Sequence, residues 1–533
     1  MTVKLHFHGA AGGVTGSCFR LQADQASVLI DCGLFQGPKT IKELNYQRFP
    51  FDPKAIAAVL LTHAHVDHSG LLPKLMLAGF DGPIHATAGT RELCDVMLAD
   101  AGGIQEHEVE QLNRRLQRKG RQPVTPIYTA DDARNCMRLF SKVSLGDWID
   151  AAPGVKARYW EAGHILGSAS IEVEVDDGGT PLRLLFSGDL GPGGGDFTED
   201  PQGPAGVDHL IMESTYGKSE RPVLSSAQRR GLLADEVRAA HEAGGPLVIP
   251  AFAVERTQQL VVDLLELMDG GEVPSGPIFL DSPLAIRASE VFFRRGRNAE
   301  GVNPFTSMRS SRLFHTTETA DESRAIELLR GWHVIIAASG MCDAGRIRHH
   351  LKRLLWRKDA TVMLVGYQAA GTLGRFLQEG QHNVRIQGED IRVKARIRML
   401  EAYSGHADGP ALVRWDLARR PVGGRVFLVH GEPDSRRALQ ARLVDAGFAA
   451  DRIQAPEIDD SFKLERVNCE AAPEAPPRVA AGAPTRLDWH NARSRLVLAL
   501  DEALEAAPDD ASRLALLEAL GRATPLKVSG QAA

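Results

Sequence analysis

The 533-residue chain has only six cysteines, none in a CxxC spacing and none beside the histidine-rich segment described below. That excludes a disulfide framework and a thiolate zinc site, and it suits reduced thiols in the cytoplasm. No run of about 18 apolar residues occurs, so no membrane span is expected. Residues 1–7 carry charge and histidine where a secretory leader needs an apolar stretch. A basic surface overall is also lacking, since 62 Lys and Arg face 68 Asp and Glu for a net charge of −6. Any nucleic-acid groove is therefore a local basic feature. A 43% hydrophobic content at this length suits a globular protein of roughly two to four domains.

What the chain does have is His63-Ala64-His65-Val66-Asp67-His68, directly after the apolar residues 55–61. A short apolar run broken by Ser69-Gly70 reads as a buried strand. Side chains two apart in extended backbone share a face, so His63 and His65 can reach one metal while Asp67 and His68 face a second. Imidazole with carboxylate suits zinc, and paired divalent ions suit phosphate-ester hydrolysis. Other apolar runs end in the same chemistry: residues 155–160 lead to His164 between Gly163 and Gly167, residues 182–186 to Asp189, 210–212 to Glu213, and 426–429 to His430. Residues 171–175 and 182–186 read as a hairpin turning at 176–179. One Asp or His after an apolar run is ordinary capping, whereas five such ends in one chain point to a shared centre.

These motifs resemble the metallo-β-lactamase superfamily. Asp31, His63–His68, His164 and Asp189 match its metal-site motifs. Glu213-Ser214-Thr215-Tyr216-Gly217, Ser404-Gly405-His406-Ala407-Asp408 and His430-Gly431-Glu432 are similar to the three further motifs of its β-CASP nucleases. The pattern is most similar to the branch's RNA 3′-end processing endonucleases and their bacterial and archaeal relatives, over residues 1 to about 460. The resemblance implies an α/β fold, an αββα sandwich with an inserted α/β β-CASP domain. It implies two Zn2+: one on His63, His65 and His164, the other on Asp67, His68 and His430, with Asp189 bridging. Asp31 would orient a ligand imidazole from behind. His406 would act as general acid with Glu213 holding it, and Asp67 would serve catalysis as well as binding. The implied activity is zinc-dependent hydrolysis of RNA. A DNA-directed relative usually carries valine where His430 stands, and a silent scaffold subunit has lost ligands that this chain keeps. Lactam and thioester hydrolases lack the large insert.

Residues 1–214 and 386–460 are expected to build the sandwich, with 215–385 inserted as alternating strands and helices, hence a parallel sheet. Within the insert, turns at Ser282, at Ser339-Gly340-Met341 before a helix containing Arg346, and at Gly371-Thr372 are expected to hold phosphate backbone. Gly9 to Gly13 lacks phosphate-loop spacing and reads as a tight loop beside the cleft. The basic alternation of residues 392–398 reads as a strand with one buried face. Residues 466–484 read as an Ala/Pro-rich linker and 485–524 as a helical tail with leucine stripes. That tail should dock on the nuclease body, a second copy in a homodimer, or a protein partner.

Overall fold

The computed structural model describes residues 3–523, apart from 177–179, 195–197, 223, 298–300, 370 and 487. The turn expected at 176–179 therefore lies largely outside the described residues. Its flanking strands, Ala169–Val175 and Leu182–Phe186, pair antiparallel as the sequence implies.

Two sheets face one another across the main core. The first runs in the order Cys469–Ala471, Ser461–Leu464, Val3–Gly9, Cys18–Gln22, Ser27–Ile30, Ile56–Leu60, Ile84–Thr87 and Phe140–Val143. The second runs Ile453–Gln454, Val426–Val429, His209–Glu213, Leu182–Phe186, Ala169–Val175, Val155–Glu161 and Trp148–Ala152. Leu5, Phe7, Phe19, Ile30 and Leu60 of one meet Tyr159, Ile171, Phe186, Ile211 and Phe427 of the other. Strands covered on both sides read as unbroken apolar runs, as Leu-Val-Phe-type stretches do here. The metallo-β-lactamase sandwich with an inserted α/β domain is the architecture observed.

The insert has its own six-stranded sheet, in the order Phe314–Thr316, Ile278–Leu280, Val334–Ala337, Leu247–Pro250, Thr361–Leu364 and Arg396–Met399, all parallel. Its last strand corrects the expected boundary. Thr361–Leu364 pairs with Arg396–Met399, so the insert's sheet reaches about residue 399 rather than 385. The apolar members of the basic alternation turn inward there while Arg396 and Arg398 stay exposed.

Residues 466–484 are not a free linker. Cys469–Ala471 closes the edge of the first sheet against Ser461–Leu464. Beyond it, Arg478 grips Asp459 with its guanidinium and donates to the His8 carbonyl at 2.5 Å. Glu474 pairs with Lys4 and Arg20. Proline and alanine cannot reveal these contacts because charged residues between them make the bonds. Helices Trp489–Ala506 and Asp510–Ala523 follow. The first touches the body through Asp488, whose carboxylate accepts from the Thr40 amide at 3.0 Å, and through Arg495 over the Phe376 ring. It buries no residue of its own, and Leu496, Leu514 and Leu517 remain exposed.

A chain ending after residue 486 should keep its metal and its urea midpoint. Ending it after Cys469 removes the Arg478–Asp459 contact, worth about 1.5–3 kcal/mol for bonds to a charged group, and should lower the midpoint. Equal midpoints for the two truncations would contradict the structural role given to residues 470–484.

Candidate metal centre

Every candidate ligand sits where a strand of the sandwich stops. Ile56–Leu60 runs out into Thr62 and His63, and a single helical turn, Val66–Ser69, then presents Asp67 and His68. Gly33 makes this turn possible, because a Cβ there would lie 1.7 Å from the Asp67 carbonyl oxygen. His164 lies in a loop opened by Gly163 at φ +66°, Asp189 follows Leu182–Phe186, and His430 follows Val426–Val429. Asp31 and His430 both adopt left-handed backbone, at φ +61° and +51°. Such conformations cost a non-glycine residue about 1–3 kcal/mol each and collect at functional sites.

The side chains converge in two groups. Nε2 of His63 and Nε2 of His164 each lie 3.1 Å from Nδ1 of His65. On the other side, Nε2 of His68 lies 3.0 Å from Nε2 of His430, which lies 3.6 Å from Asp67 Oδ2. Asp189 stands between them. Its Oδ2 is 3.6 Å from both His63 and His164, and its Oδ1 is 3.4 Å from His68 and 3.5 Å from His430.

The nitrogens that face inward are set by what the other ring nitrogens do. His164 Nδ1 donates to the Gly405 carbonyl at 2.6 Å. His68 Nδ1 donates to Asp31 Oδ2 at 2.7 Å, and His430 Nδ1 donates to the Thr215 hydroxyl at 3.0 Å. Thr62 bridges Asp31 to His63, with its hydroxyl 3.0 Å from Asp31 and 3.1 Å from His63 Nδ1. Each of these bonds leaves a lone pair aimed at the centre. Asp31 thus contacts both Thr62 and His68 from behind the candidate ligands.

This donor set fits divalent ions. Ring nitrogens held 3.0–3.1 Å apart are spaced as the ligands of a shared cation would be. A tetrahedron with bonds of about 2.05 Å has edges of about 3.3 Å, close to these separations. Burial pushes His63 and His164 well below the usual imidazole range and His65 down to about 4, so all three are neutral, the state that binds metal. Against the same burial, the Asp189 and Asp31 carboxylates raise His68, and Asp189 raises His430. That half of the site attracts positive charge by its own electrostatics. Asp189 Oδ1 is buried without a hydrogen-bond donor.

Glu213 and His406 form a third group next to the centre. The buried Glu213 accepts from the Leu190 amide at 2.6 Å, and both its oxygens lie 3.3 Å from His406 Nδ1. His406 Nε2 then points toward Asp189, at 3.9 Å. Its main-chain carbonyl accepts from Arg221, whose guanidinium stacks on Tyr216.

A cleft of about 390 Å³ opens over these groups. Its far wall comes from the insert and includes Phe252, Arg256, Ser339, Met341 and Tyr367. Of the residues expected to hold phosphate backbone, only Ser339 and Met341 line it; Ser282, Gly340, Arg346, Gly371 and Thr372 do not. Gly340 packs against Phe252, and the helix expected to begin there starts at Ile347. Arg346 is engaged elsewhere, with Asp281 at 2.6 Å and the carbonyls of Thr317 and Glu318. Ser282 and Thr372 cap helices, accepting from the amides of Ala285 and Arg375.

Two residues of the insert, Glu255 and Arg256, make contacts to the site that the sequence reading did not single out. Glu255, at φ +66°, accepts from the Leu166 amide at 3.0 Å and so ties the insert to the His164 loop. Burial pushes its carboxyl up to about 8. Arg256 donates through Nε to the Tyr403 carbonyl at 2.6 Å, while one of its amino groups is buried without a partner. The signal was a charged pair, Glu255-Arg256, closing the apolar run that begins with strand Leu247–Pro250 and continues through Val254.

Comparison with known proteins agrees with this geometry. The Metallo-beta-lactamase superfamily model matches residues 11–228, the Beta-Casp domain 257–377, and the Zn-dependent metallo-hydrolase RNA specificity domain 390–456. Ribonuclease TTHA0252 of Thermus thermophilus is 35% identical over 449 residues, covering 82% of this chain and 95% of that protein. Transcription termination factor FttA of Methanothermobacter thermautotrophicus is 30% identical over 447 residues, covering 79% of this chain and 66% of that protein.

Replacing Asp31 by Ala should weaken metal binding by about 10- to 100-fold, the usual effect of losing a group behind the ligands. Competition with a chromogenic chelator measures this, and unchanged affinity would show that Asp31 does not orient His68.

Proposed function

The chain belongs to the β-CASP branch of the metallo-β-lactamase superfamily, a metal-dependent hydrolase family, and we propose that it cleaves RNA phosphodiester bonds with two Zn2+. The observation that carries the proposal is the Glu213–His406 pair set beside two complete ligand groups. Two ions held by His63, His65 and His164, and by Asp67, His68 and His430, would supply an activated water and offset charge on the phosphoryl oxygens. Asp189, with one oxygen toward each group, positions the two halves relative to one another.

The remaining chemistry belongs to the chain itself. Glu213 holds the Nδ1 proton of His406, which leaves Nε2 on the cleft side. In its protonated form His406 delivers a proton from Nε2 to the departing ribose oxygen. Arg256 brings a guanidinium to the cleft wall, with one buried amino group lacking a hydrogen-bond partner among the described residues, and would attract an anionic backbone there. Phe252, Leu34 and Val66 line the cleft with apolar surface and limit water at the reacting phosphate. RNA is favoured over DNA by the ribonuclease relative and by the RNA specificity domain matched at 390–456.

End-labelled RNA and DNA of equal sequence test the substrate class: RNA should be cut and DNA left intact, and the reverse result would overturn the reading. His406→Ala should slow cleavage by about two to four powers of ten with metal content intact, whereas His430→Ala should weaken one ion. Loss of zinc from His406→Ala but not from His430→Ala would exchange the two roles.

A further inference from the structure

The insert carries a second groove, of about 680 Å³, at the end of its sheet opposite the metal cleft. Pro246, His333 and Asp359, which precede strands Leu247–Pro250, Val334–Ala337 and Thr361–Leu364, line it. Phe252, Ala338 and Tyr367, which follow those strands, line the metal cleft. Four-residue strands at about 3.3 Å per residue put at least about 13 Å of sheet between the two.

The groove's lining is strongly basic in a chain whose net charge is −6. Six Lys and Arg face two carboxylates, Glu327 and Asp359. Those carboxylates pair with Arg353 and Arg357, at 2.7 and 2.6 Å. Arg330, Lys358 and Lys394 are exposed and have no carboxylate partner among the described residues. Compensation of a helix dipole explains Lys352 and Arg353, at the end of Ile347–Leu354. It does not explain cations delivered to the same place from three separate segments.

Between them stands Trp356, 55% exposed. The chain holds it there by a defined turn: the Leu355 carbonyl accepts from the amides of Lys394 and Ala395, at 2.6 and 2.8 Å. Lys394 is thereby fastened beside the indole. A bare aromatic face flanked by unpaired cations is the chemistry of single-stranded nucleic-acid binding, in which bases stack and the cations follow phosphates.

We propose that this groove binds a single-stranded stretch of the RNA remote from the cleaved bond, with a base on Trp356 and phosphates on Arg330, Lys358 and Lys394. The proposal rests on the RNA reading of the metal cleft. A duplex keeps its bases stacked and offers Trp356 nothing, so an unpaired strand is the ligand.

Fluorescence anisotropy with labelled RNA tests it, on a zinc-loaded His406→Ala background that slows cutting during titration. Trp356→Ala and the double variant Lys358→Glu/Lys394→Glu should each weaken binding of an RNA of about thirty nucleotides by about tenfold. An RNA of about two nucleotides, shorter than the roughly 13 Å of sheet between cleft and groove, should bind as before. The double variant should also lower the salt slope by about 1.4, two phosphates' worth on a single strand. Unchanged long-RNA affinity in both variants, or equal losses for long and short RNA, would overturn the groove. Failure of the unsubstituted chain to cut RNA would overturn the catalytic reading alone, because the binding comparison does not depend on turnover.

Discussion

Packing His63, His65, His68, His164, His430, Asp67 and Asp189 into one buried pocket is the constraint on which the rest of the sandwich turns. Burial lowers the imidazoles of His63, His65 and His164, and against that burial the carboxylates raise those of His68 and His430. Ring nitrogens of these histidines meet at about 3 Å, separations that a shared cation would accommodate. The backbone accepts left-handed conformations at Asp31 and His430 to keep the side chains convergent. The two facing sheets supply the rigidity, since Ile56–Leu60 leads into His63, His65, Asp67 and His68 while Leu182–Phe186 and Val426–Val429 lead into Asp189 and His430.

The insert completes this centre as well as covering it. Glu255 reaches across to the loop that carries His164, and Arg256 reaches to the Tyr403 carbonyl just before the His406 segment. Tyr367 donates to Glu432, two residues past His430, at 2.6 Å. Each bond joins the insert to a segment holding a candidate ligand or His406. The position of the insert is thereby tied to the segments that carry the candidate ligands.

Much of this was legible in the sequence because ligands at strand ends leave a local signature. An apolar run followed by His or Asp predicts the strand, and His63, Asp189 and His430 each lie within three residues of a strand's end. Contacts between distant segments leave no such signature. Arg346 looked like a phosphate contact from its neighbourhood, but Asp281, 65 residues away, claims its guanidinium. The sheet position of Arg396–Met399 depends on pairing with Thr361–Leu364, which composition cannot show. Residues 466–484 have a linker's composition, and only the positions of Asp459, Lys4 and Arg20 make Arg478 and Glu474 structural.

Anomalous scattering from crystals, recorded on either side of the zinc absorption edge, tests the central claim most directly. The account predicts two peaks about 3.5–4 Å apart, one among His63, His65 and His164 and the other among Asp67, His68 and His430, with Asp189 reaching both. A single peak, or a pair that leaves Asp189 out, would contradict it.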